Sequence, residues 1–338
     1  MTMMIELSHE ITVALRRFGL AESDETPRFH ALVGGVASDI LRVDLRRGSV
    51  CVKRALSKLR VAQDWFAPIE RWQYEVAWFQ VVAGIAPDAV PEILGVDMEQ
   101  RFFVMEYLDP AMFQNWKAEL MMGHTDRGLA ANIGRLLARI HASTAGRDDI
   151  AAAFASDNIF HAIRLEPYLE ATACLHPDLA PRLTELVQIT AQTRRALVHG
   201  DVSPKNILIG PHGPVFIDAE CAWYGDPAFD LAFCLNHLLL KCLVVPVAAA
   251  ELLGCFDALS EAYLSGVTWE TAQEIQTRTA ALLPGLLLAR IDGKSPVDYV
   301  TKEIDKAHIR KIGRAFLASP PSDLTVIRAA WMREVAHG

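Results

Sequence analysis

The chain has 338 residues, 51% of them hydrophobic and 22% charged, which provides for a sizeable core and excludes whole-chain disorder, collagen and coiled-coil arrays. At roughly 150 residues per domain there is room for two domains, or for one large domain of two lobes. With 33 Lys and Arg against 41 Asp and Glu the net charge is −8, so nucleic acid is not an expected partner and a cationic small molecule is better tolerated. The most apolar region, 231–256, is interrupted by Asn236, His237, Lys241, Pro246 and Glu251. A membrane span needs roughly 20 residues with few charges, so no membrane partner is expected. Residues 1–10 carry no basic stretch ahead of an apolar core, so no secretory leader is expected. Cys51, Cys174, Cys221, Cys234, Cys242 and Cys255 form no C-x-x-C pair. That spacing fits reduced thiols in a cytoplasmic protein better than a metal site or a disulfide framework.

Taken in chain order, residues 40–44 and 50–53 alternate around Arg46-Arg47-Gly48-Ser49, a hairpin signal. Trp72, Val76 and Phe79 recur at helical spacing and predict a helix over 68–82. Residues 102–107 read as a short apolar strand that stops at Leu108-Asp109-Pro110. A boundary there divides the chain into a first lobe of 1–108 and a second of 109–338. Beyond it the pattern is mostly helical, with Ile133, Leu136, Leu137 and Ile140 marking one amphipathic helix. A β island interrupts the helices at 196–198, 207–209 and 215–217, its last two strands joined by Gly210-Pro211-His212-Gly213. Helices return from Asp226. The fold class predicted is α+β, with a small antiparallel-sheet N-lobe and a larger, mostly helical C-lobe.

The densest chemical signal is His199-Gly200-Asp201-Val202-Ser203-Pro204-Lys205-Asn206, followed after the hairpin by Ile217-Asp218-Ala219-Glu220. A hairpin brings its strand ends together, so Asn206 and Asp218 are expected side by side. Two hard oxygen donors there suit Mg²⁺, which takes a few carboxylate or amide oxygens together with phosphate and water. Asp201 then stands beside a metal-bound phosphate, able to accept a hydroxyl proton. The D-x-x-x-x-N spacing followed by a second Asp is that of the protein-kinase catalytic loop. The plainer alternative is a polar turn with an Asx cap and a surface Asp. His199 is read as packing and hydrogen-bonding the loop, and Lys205 as a phosphate contact or a solvated lysine.

A site of this kind needs a lysine on a strand and a glutamate on a helix. Lys53 and Glu75 stand at such positions, and an ion pair between them would aim the ammonium at nucleotide phosphates. Each alone is also an ordinary surface charge. Ahead of the strand, Gly34 and Gly35 let a backbone approach phosphates and Ser38 offers a hydroxyl donor, although hairpin tips look alike. Residues 103–108, ending in Glu106-Tyr107-Leu108, fit a strand and linker that bind adenine through main-chain groups, or a plain buried strand.

Together these residues resemble the aminoglycoside phosphotransferase and choline kinase superfamily, small-molecule kinases with a bilobal protein-kinase-like fold. The resemblance rests on His199-Gly200-Asp201 through Asn206, on Ile217-Asp218, and on Gly225-Asp226-Pro227-Ala228-Phe229-Asp230-Leu231-Ala232, in the family's order over most of the chain. Glycine between His and Asp, where protein kinases usually have arginine, favours the small-molecule members. Several stretches look most like the 5-methylthioribose kinases: Gly34-Gly35-Val36, Val52-Lys53-Arg54-Ala55-Leu56, Trp65 with Arg71 and Glu75, Ala222-Trp223-Tyr224-Gly225, and Arg290-Ile291-Asp292-Gly293-Lys294. Those kinases tend to have an arginine pair where Ala289-Arg290 stands, and a serine where Asn206 stands.

The resemblance implies an ATP- and Mg²⁺-dependent transfer of the γ-phosphoryl group to a hydroxyl of a small molecule. It makes Asp201 the catalytic base and Asn206 and Asp218 the metal ligands. Lys53 holds the α- and β-phosphates, Glu75 positions Lys53, and Asp230 braces the catalytic loop. Arg290, Lys294 and Trp223 are candidate acceptor contacts, and a solvated helix end or a packed loop is the plainer reading of them. An anionic or polyhydroxylated acceptor suits Arg290; a polyamine such as an aminoglycoside suits the surplus of acidic residues. A homodimer stands as a candidate assembly. The competing functions are a kinase-like fold that binds a metabolite without turnover, a metal-dependent hydrolase built on His199, Asp201 and Asp218, and a protein kinase. Only a few residues separate Asp218 from Gly225, too few for a peptide platform.

Overall fold

The computed structural model describes residues 2–32, 38–56 and 67–336. Helix α1 (Thr2–Arg17) leads into strands β1 (Arg28–Ala31), β2 (Ser38–Leu45) and β3 (Gly48–Ala55), then α2 (Arg71–Ala83), β4 (Ile93–Asp97) and β5 (Phe102–Glu106). The five strands form one antiparallel sheet in the order β1-β2-β3-β5-β4. The hairpin expected to turn through the four residues 46–49 turns through two. Leu45 pairs with Gly48, leaving Arg46 and Arg47 as a two-residue turn, and Gly48 enters the strand at φ 125°.

Period-two alternation explains what β3 carries. Val50 and Val52 join Ile11 and Leu15 of α1, with Val43, Phe102 and Val104, in a small core on one face of the sheet. Lys53, between Val52 and Arg54, therefore points to the opposite face, where α2 packs. Residues 2–17 carry no helix signal that stands out in the sequence, yet α1 is what covers that apolar face. Its buried Ile11 and Leu15 each contribute about 1.5–3 kcal/mol on burial. Helix α2 starts at Arg71 rather than at 68, because 68–73 is wound in tighter i→i+3 turns: Arg71 N donates to Pro68 O (3.4 Å) and Gln73 N to Glu70 O (2.9 Å). Trp72, Val76 and Phe79 are buried, as their spacing predicts.

From residue 114 onward helices dominate. Strand β6 (Gln114–Asn115) precedes α3 (Trp116–Met121), α4 (Arg127–Thr144), α5 (Asp148–Ala153) and α6 (Asp157–Phe160). A π-helical stretch (His161–Glu170) runs into α7 (Ala171–Leu175) and α8 (Ala180–Gln192). The β island follows as β7 (Ala196–Val198), β8 (Ile207–Gly210), β9 (Gly213–Phe216) and β10 (Trp223–Gly225). Helices α9 (Pro227–Val244), α10 (Ala249–Ser265), α11 (Ala272–Asp292), α12 (Glu303–Ala318) and α13 (Leu324–Ala336) complete the chain. The island is two small sheets: β8 and β9 pair with each other and with β6, whereas β7 pairs antiparallel with β10. A small antiparallel sheet followed by a larger helical region is the bilobal, protein-kinase-like architecture.

Helix α9 is the axis of the helical region and is buried from Pro227 to Cys242. It is the one helix among the described residues long and apolar enough to cross a membrane, and 89% of it is buried inside the protein, which accounts for its composition. Helices α4 and α10 approach so closely that a Cβ at Gly134 would lie 2.3 Å from the Leu259 carbonyl oxygen.

Candidate active site

The loop after β7 is held from below by α9. Both carboxylate oxygens of the buried Asp230, in the first turn of that helix, accept main-chain bonds: His199 N donates to one and Gly200 N to the other, each at 2.8 Å. Gly200 turns the chain at φ 78°, and a Cβ there would lie 2.6 Å from the Cys221 carbonyl oxygen. Gly200→Ala is therefore expected to destabilise the protein by about 1–3 kcal/mol through left-handed strain, with the clash added. Urea denaturation checks this; an unchanged midpoint would contradict it. The His199 ring lies edge-on to Trp78, with centroids 4.8 Å apart. Its Nδ1 accepts from Asp201 N at 3.1 Å, which leaves Nε2–H to donate to Ile217 O at 3.2 Å. Burial lowers its pKa, in keeping with that neutral tautomer. Its geometry is that of a loop brace.

Asp201 is only 5% exposed. Burial pushes its carboxyl up, but Arg164 at 2.9 Å and then Lys205 at 3.3 Å outweigh burial and hold it below the usual range. Arg164 is the residue that sequence reasoning missed. It rises from the π-helical stretch, donates to the carbonyl oxygens of Gly200 and Ile163 (both 2.5 Å), and lies over the rings of Tyr168 and Phe233. In the sequence it is a lone arginine between Ile163 and Leu165, with no motif attached. Arg164→Met is expected to move the acid limb of the kcat/KM profile to higher pH by about one unit or more. The sign follows from removing the main influence that lowers Asp201: burial then meets less opposition and the carboxylate takes up a proton at higher pH. Arg164→Lys, which keeps the charge, should move the limb less. A profile unchanged in Arg164→Met would show that Asp201 does not set that limb.

A second cluster joins the two lobes. Lys53 Nζ lies 2.7 Å from Glu75 Oε1 and also bonds Asp218 Oδ1. Lys53 and Glu75 are buried, whereas the Asp218 side chain keeps 31% of its surface open. Burial raises Glu75 to about 7, with Asp218 and Glu220 adding to the rise and Lys53 opposing it. Burial also acts to raise Asp218, but Lys53 and Lys205 override it and hold that carboxylate ionised. Arg71 of α2 takes Glu220 at 2.9 Å, a second tie between that helix and the segment after Asp218.

Asp218 sits past the end of β9 at φ 64°, a left-handed conformation uncommon for a residue with a side chain. Ile217 N donates to Asn206 O (3.0 Å), and Asn206 Nδ2 donates to Asp201 O (3.1 Å). The first bond sets the residue before Asp218 against the main chain of Asn206, and the second ties the Asn206 side chain back to the main chain of Asp201. Among the described residues no group of three His, Cys, Asp or Glu side chains is arranged to hold a metal. One carboxylate and one amide oxygen, completed by phosphate and water, are a donor set that suits Mg²⁺ and asks for no such group.

The remaining nucleotide candidates are less uniform. Gly35, with Gly34, Val36 and Trp65, lies outside the described residues. The Ser38 hydroxyl is buried and has no hydrogen-bond partner among the described residues. Glu106 N is already bonded to Glu92 O (2.8 Å), whereas among the described residues Leu108 takes no part in the main-chain bonds outside helices and strands. Of the three acceptor candidates, Trp223 is 1% exposed, stacks on Phe160 at 4.3 Å and donates to Asp157, so it is packed away and forms no wall of a cleft. Lys294 pairs with Glu166 on the exterior. Arg290 bonds the Tyr168 hydroxyl at 3.0 Å and thereby reaches the ring that Arg164 covers.

The model of the phosphotransferase enzyme family matches residues 29–241, a span that contains Lys53, Glu75, the 199–206 loop, Asp218 and Asp230. The chain is 27% identical over 222 residues to methylthioribose kinase 1 of Oryza sativa subsp. japonica, covering 57% of this chain and 51% of that protein. It is 27% identical over 224 residues to the methylthioribose kinase of Escherichia coli, covering 57% and 52%. The chain spans about half the length of these curated relatives. Among solved structures, the Plasmodium vivax ethanolamine kinase is similar with a TM-score of 0.57 at 12% identity, over 94% of this chain and 88% of that one. A choline/ethanolamine kinase family protein from Mesorhizobium loti is similar with a TM-score of 0.53 at 15% identity, over 94% and 95%. At such identity these likenesses establish the fold.

Proposed function

This chain belongs to the phosphotransferase enzyme family, and from that premise we propose that it transfers the γ-phosphoryl group of ATP to a hydroxyl of a small molecule, with the division at 108/109 separating a nucleotide lobe from a catalytic and acceptor lobe. What supports the reading is that the Asn206 side chain is tied to the main chain of Asp201, the Asn206 carbonyl to the residue before Asp218, and Lys53 to both Asp218 and Glu75.

In this reading Asp201 orients the acceptor hydroxyl and takes its proton as the hydroxyl oxygen bonds to the γ-phosphorus. The bond from that phosphorus to the β–γ bridging oxygen breaks, and ADP leaves. Asp218 and Asn206 would hold Mg²⁺, which would neutralise charge on the phosphate oxygens. Lys53 sets the α- and β-phosphates, Glu75 holds Lys53, and Asp230 with His199 keeps the loop in place, so positioning supplies most of the rate. The six free cysteines, five of them buried, suit a reducing, cytoplasmic setting.

The test is a hydroxyl-compound panel with Mg-ATP: methylthioribose, other pentoses, choline-like amines, aminoglycosides, and anionic hydroxyl compounds. ADP formation and the phosphorylated product are both followed. ADP with a stoichiometric phosphorylated product is expected. Free phosphate without such a product would favour a hydrolase, and nucleotide binding with neither would favour a binding protein.

A further inference from the structure

Asp230, Phe233, His237 and Lys241 lie along one face of α9, at successive spacings of three, four and four residues. The first of them carries the catalytic loop. At 1.5 Å per residue the last two stand about 10 and 16 Å farther along the helix, and helical side chains lean back toward the N-terminus. Lys241 is fully buried, and its ammonium has no hydrogen-bond partner among the described residues. Its nearest ring is Tyr299, 4.6 Å away. His237 shares that neighbour, with Nδ1 2.8 Å from the Tyr299 hydroxyl, while its Nε2 is buried without a partner. Arg290, at the end of α11, also has a buried, unpartnered Nε.

These groups are continuous with the catalytic centre. The Phe233 ring lies 5.5 Å from His237 and 5.7 Å from the guanidinium of Arg164, which in turn holds Asp201. The charges facing the cluster from its other walls do not offset it. From α3 comes Lys117, already spent on Asp298 at 2.8 Å; from the loop comes Lys205, spent with Arg164 on Asp201. Asp298 and Asp201 are thus taken, and among these described residues cationic groups remain in excess. Burial first, then Lys117 and Arg290, push the Lys241 ammonium down to about 7, opposed by Cys234 and by Asp298; burial, then Arg290, Lys241, Lys205 and Lys117, lower His237. An unpaired buried ammonium is costly, and a fold retains one chiefly where something pairs with it.

We propose that the acceptor is a hydroxylated small anion, whose carboxylate or phosphate is seated by Lys241, His237 and Arg290 while its hydroxyl is presented to Asp201. The proposal rests on the kinase reading above for the hydroxyl end only. The cationic and neutral acceptor classes leave Lys241 unpaired.

The experiment is thermal unfolding of the full chain, with Mg-AMP-PNP saturating the nucleotide site, in the presence of inorganic phosphate or of glycolate. Wild-type protein is expected to be stabilised by at least one of them. Lys241→Met and His237→Gln are expected to lose that increment. Without anion and at pH 6, where Lys241 is charged, Lys241→Met should melt above wild type, since it removes an unpaired buried charge. A response to phosphate alone assigns a phosphate ester, a response to glycolate alone a hydroxy acid, and each supports the proposal. No stabilisation of the wild type, an equal increment in Lys241→Met, or a Lys241→Met protein less stable than wild type without anion at pH 6 would overturn it. Calorimetric titration with Mg-AMP-PNP stands apart: failure of the nucleotide to bind would remove the kinase reading and leave the anion result to be judged by itself.

Discussion

Asp201→Asn is expected to lower kcat and kcat/KM together by about 10²–10⁴-fold, with Mg-ATP affinity unchanged. The two falling in parallel would mark an interaction made only as the hydroxyl proton moves. The substitution keeps the shape of the side chain and an oxygen that accepts from Arg164, so the loop should keep its bonds to Asp230 through His199 N and Gly200 N. What it removes is the carboxylate that takes the proton. Steady-state kinetics with a turned-over acceptor, beside calorimetric nucleotide titration, checks both halves. Full turnover in Asp201→Asn would remove Asp201 from the chemistry.

The second large effect is expected at Lys53. Lys53→Met strands Glu75, which is 1% exposed and bonded to the ammonium at 2.7 Å, and should cost about 3–5 kcal/mol. The cost should depend on pH in a definite direction. Glu75 in the folded protein is raised from 4.5 to about 7, so its contribution to stability is present below pH 4.5 and is lost as pH rises through about 7. Without Lys53 its pKa rises further, because the main lowering partner is gone. Lys53→Met is therefore more damaging at pH 8 than at pH 6, where Glu75 is neutralised by a proton. Asp218, partly open, recovers water. Lys53→Met/Glu75→Gln should regain most of the lost stability and flatten the pH dependence, because neither buried charge is left without its partner. It should not regain phosphoryl transfer. Urea titrations at the two pH values, with the turnover of each variant, test this. A double variant no more stable than Lys53→Met would mean that the ion pair is not what holds α2 to the sheet.

Much of the site was legible because its residues lie close together in the chain. The 199–206 loop and Asp218 are joined by one hairpin, and a hairpin is a local structure whose strand ends meet by construction. The alternation of β3 likewise put Lys53 on the face away from Val50 and Val52, and the spacing of Trp72, Val76 and Phe79 set the buried side of α2. Elements without a local signal were not legible. Strand β1, Arg28–Ala31, is mostly exposed and pairs only with β2, and α1 is recognisable as a lid only once the sheet face beneath it is built.

The sequence by itself determined the two-part architecture and the placing of Asp201, Asn206 and Asp218 on one loop and the hairpin after it, since the latter depends on spacing within a short stretch. Only the tertiary structure decided which charges meet across long separations. Arg164 reaches Asp201 from a π-helical turn, Arg71 reaches Glu220 across 149 positions, and Trp223 turns inward to Phe160. It also decided that His237 and Lys241, which in the sequence merely interrupt an apolar run, end on the face of α9 that carries Asp230 and the 199–206 loop. The physical reason is that a buried charge is defined by what surrounds it, and those surroundings come from distant segments packed together.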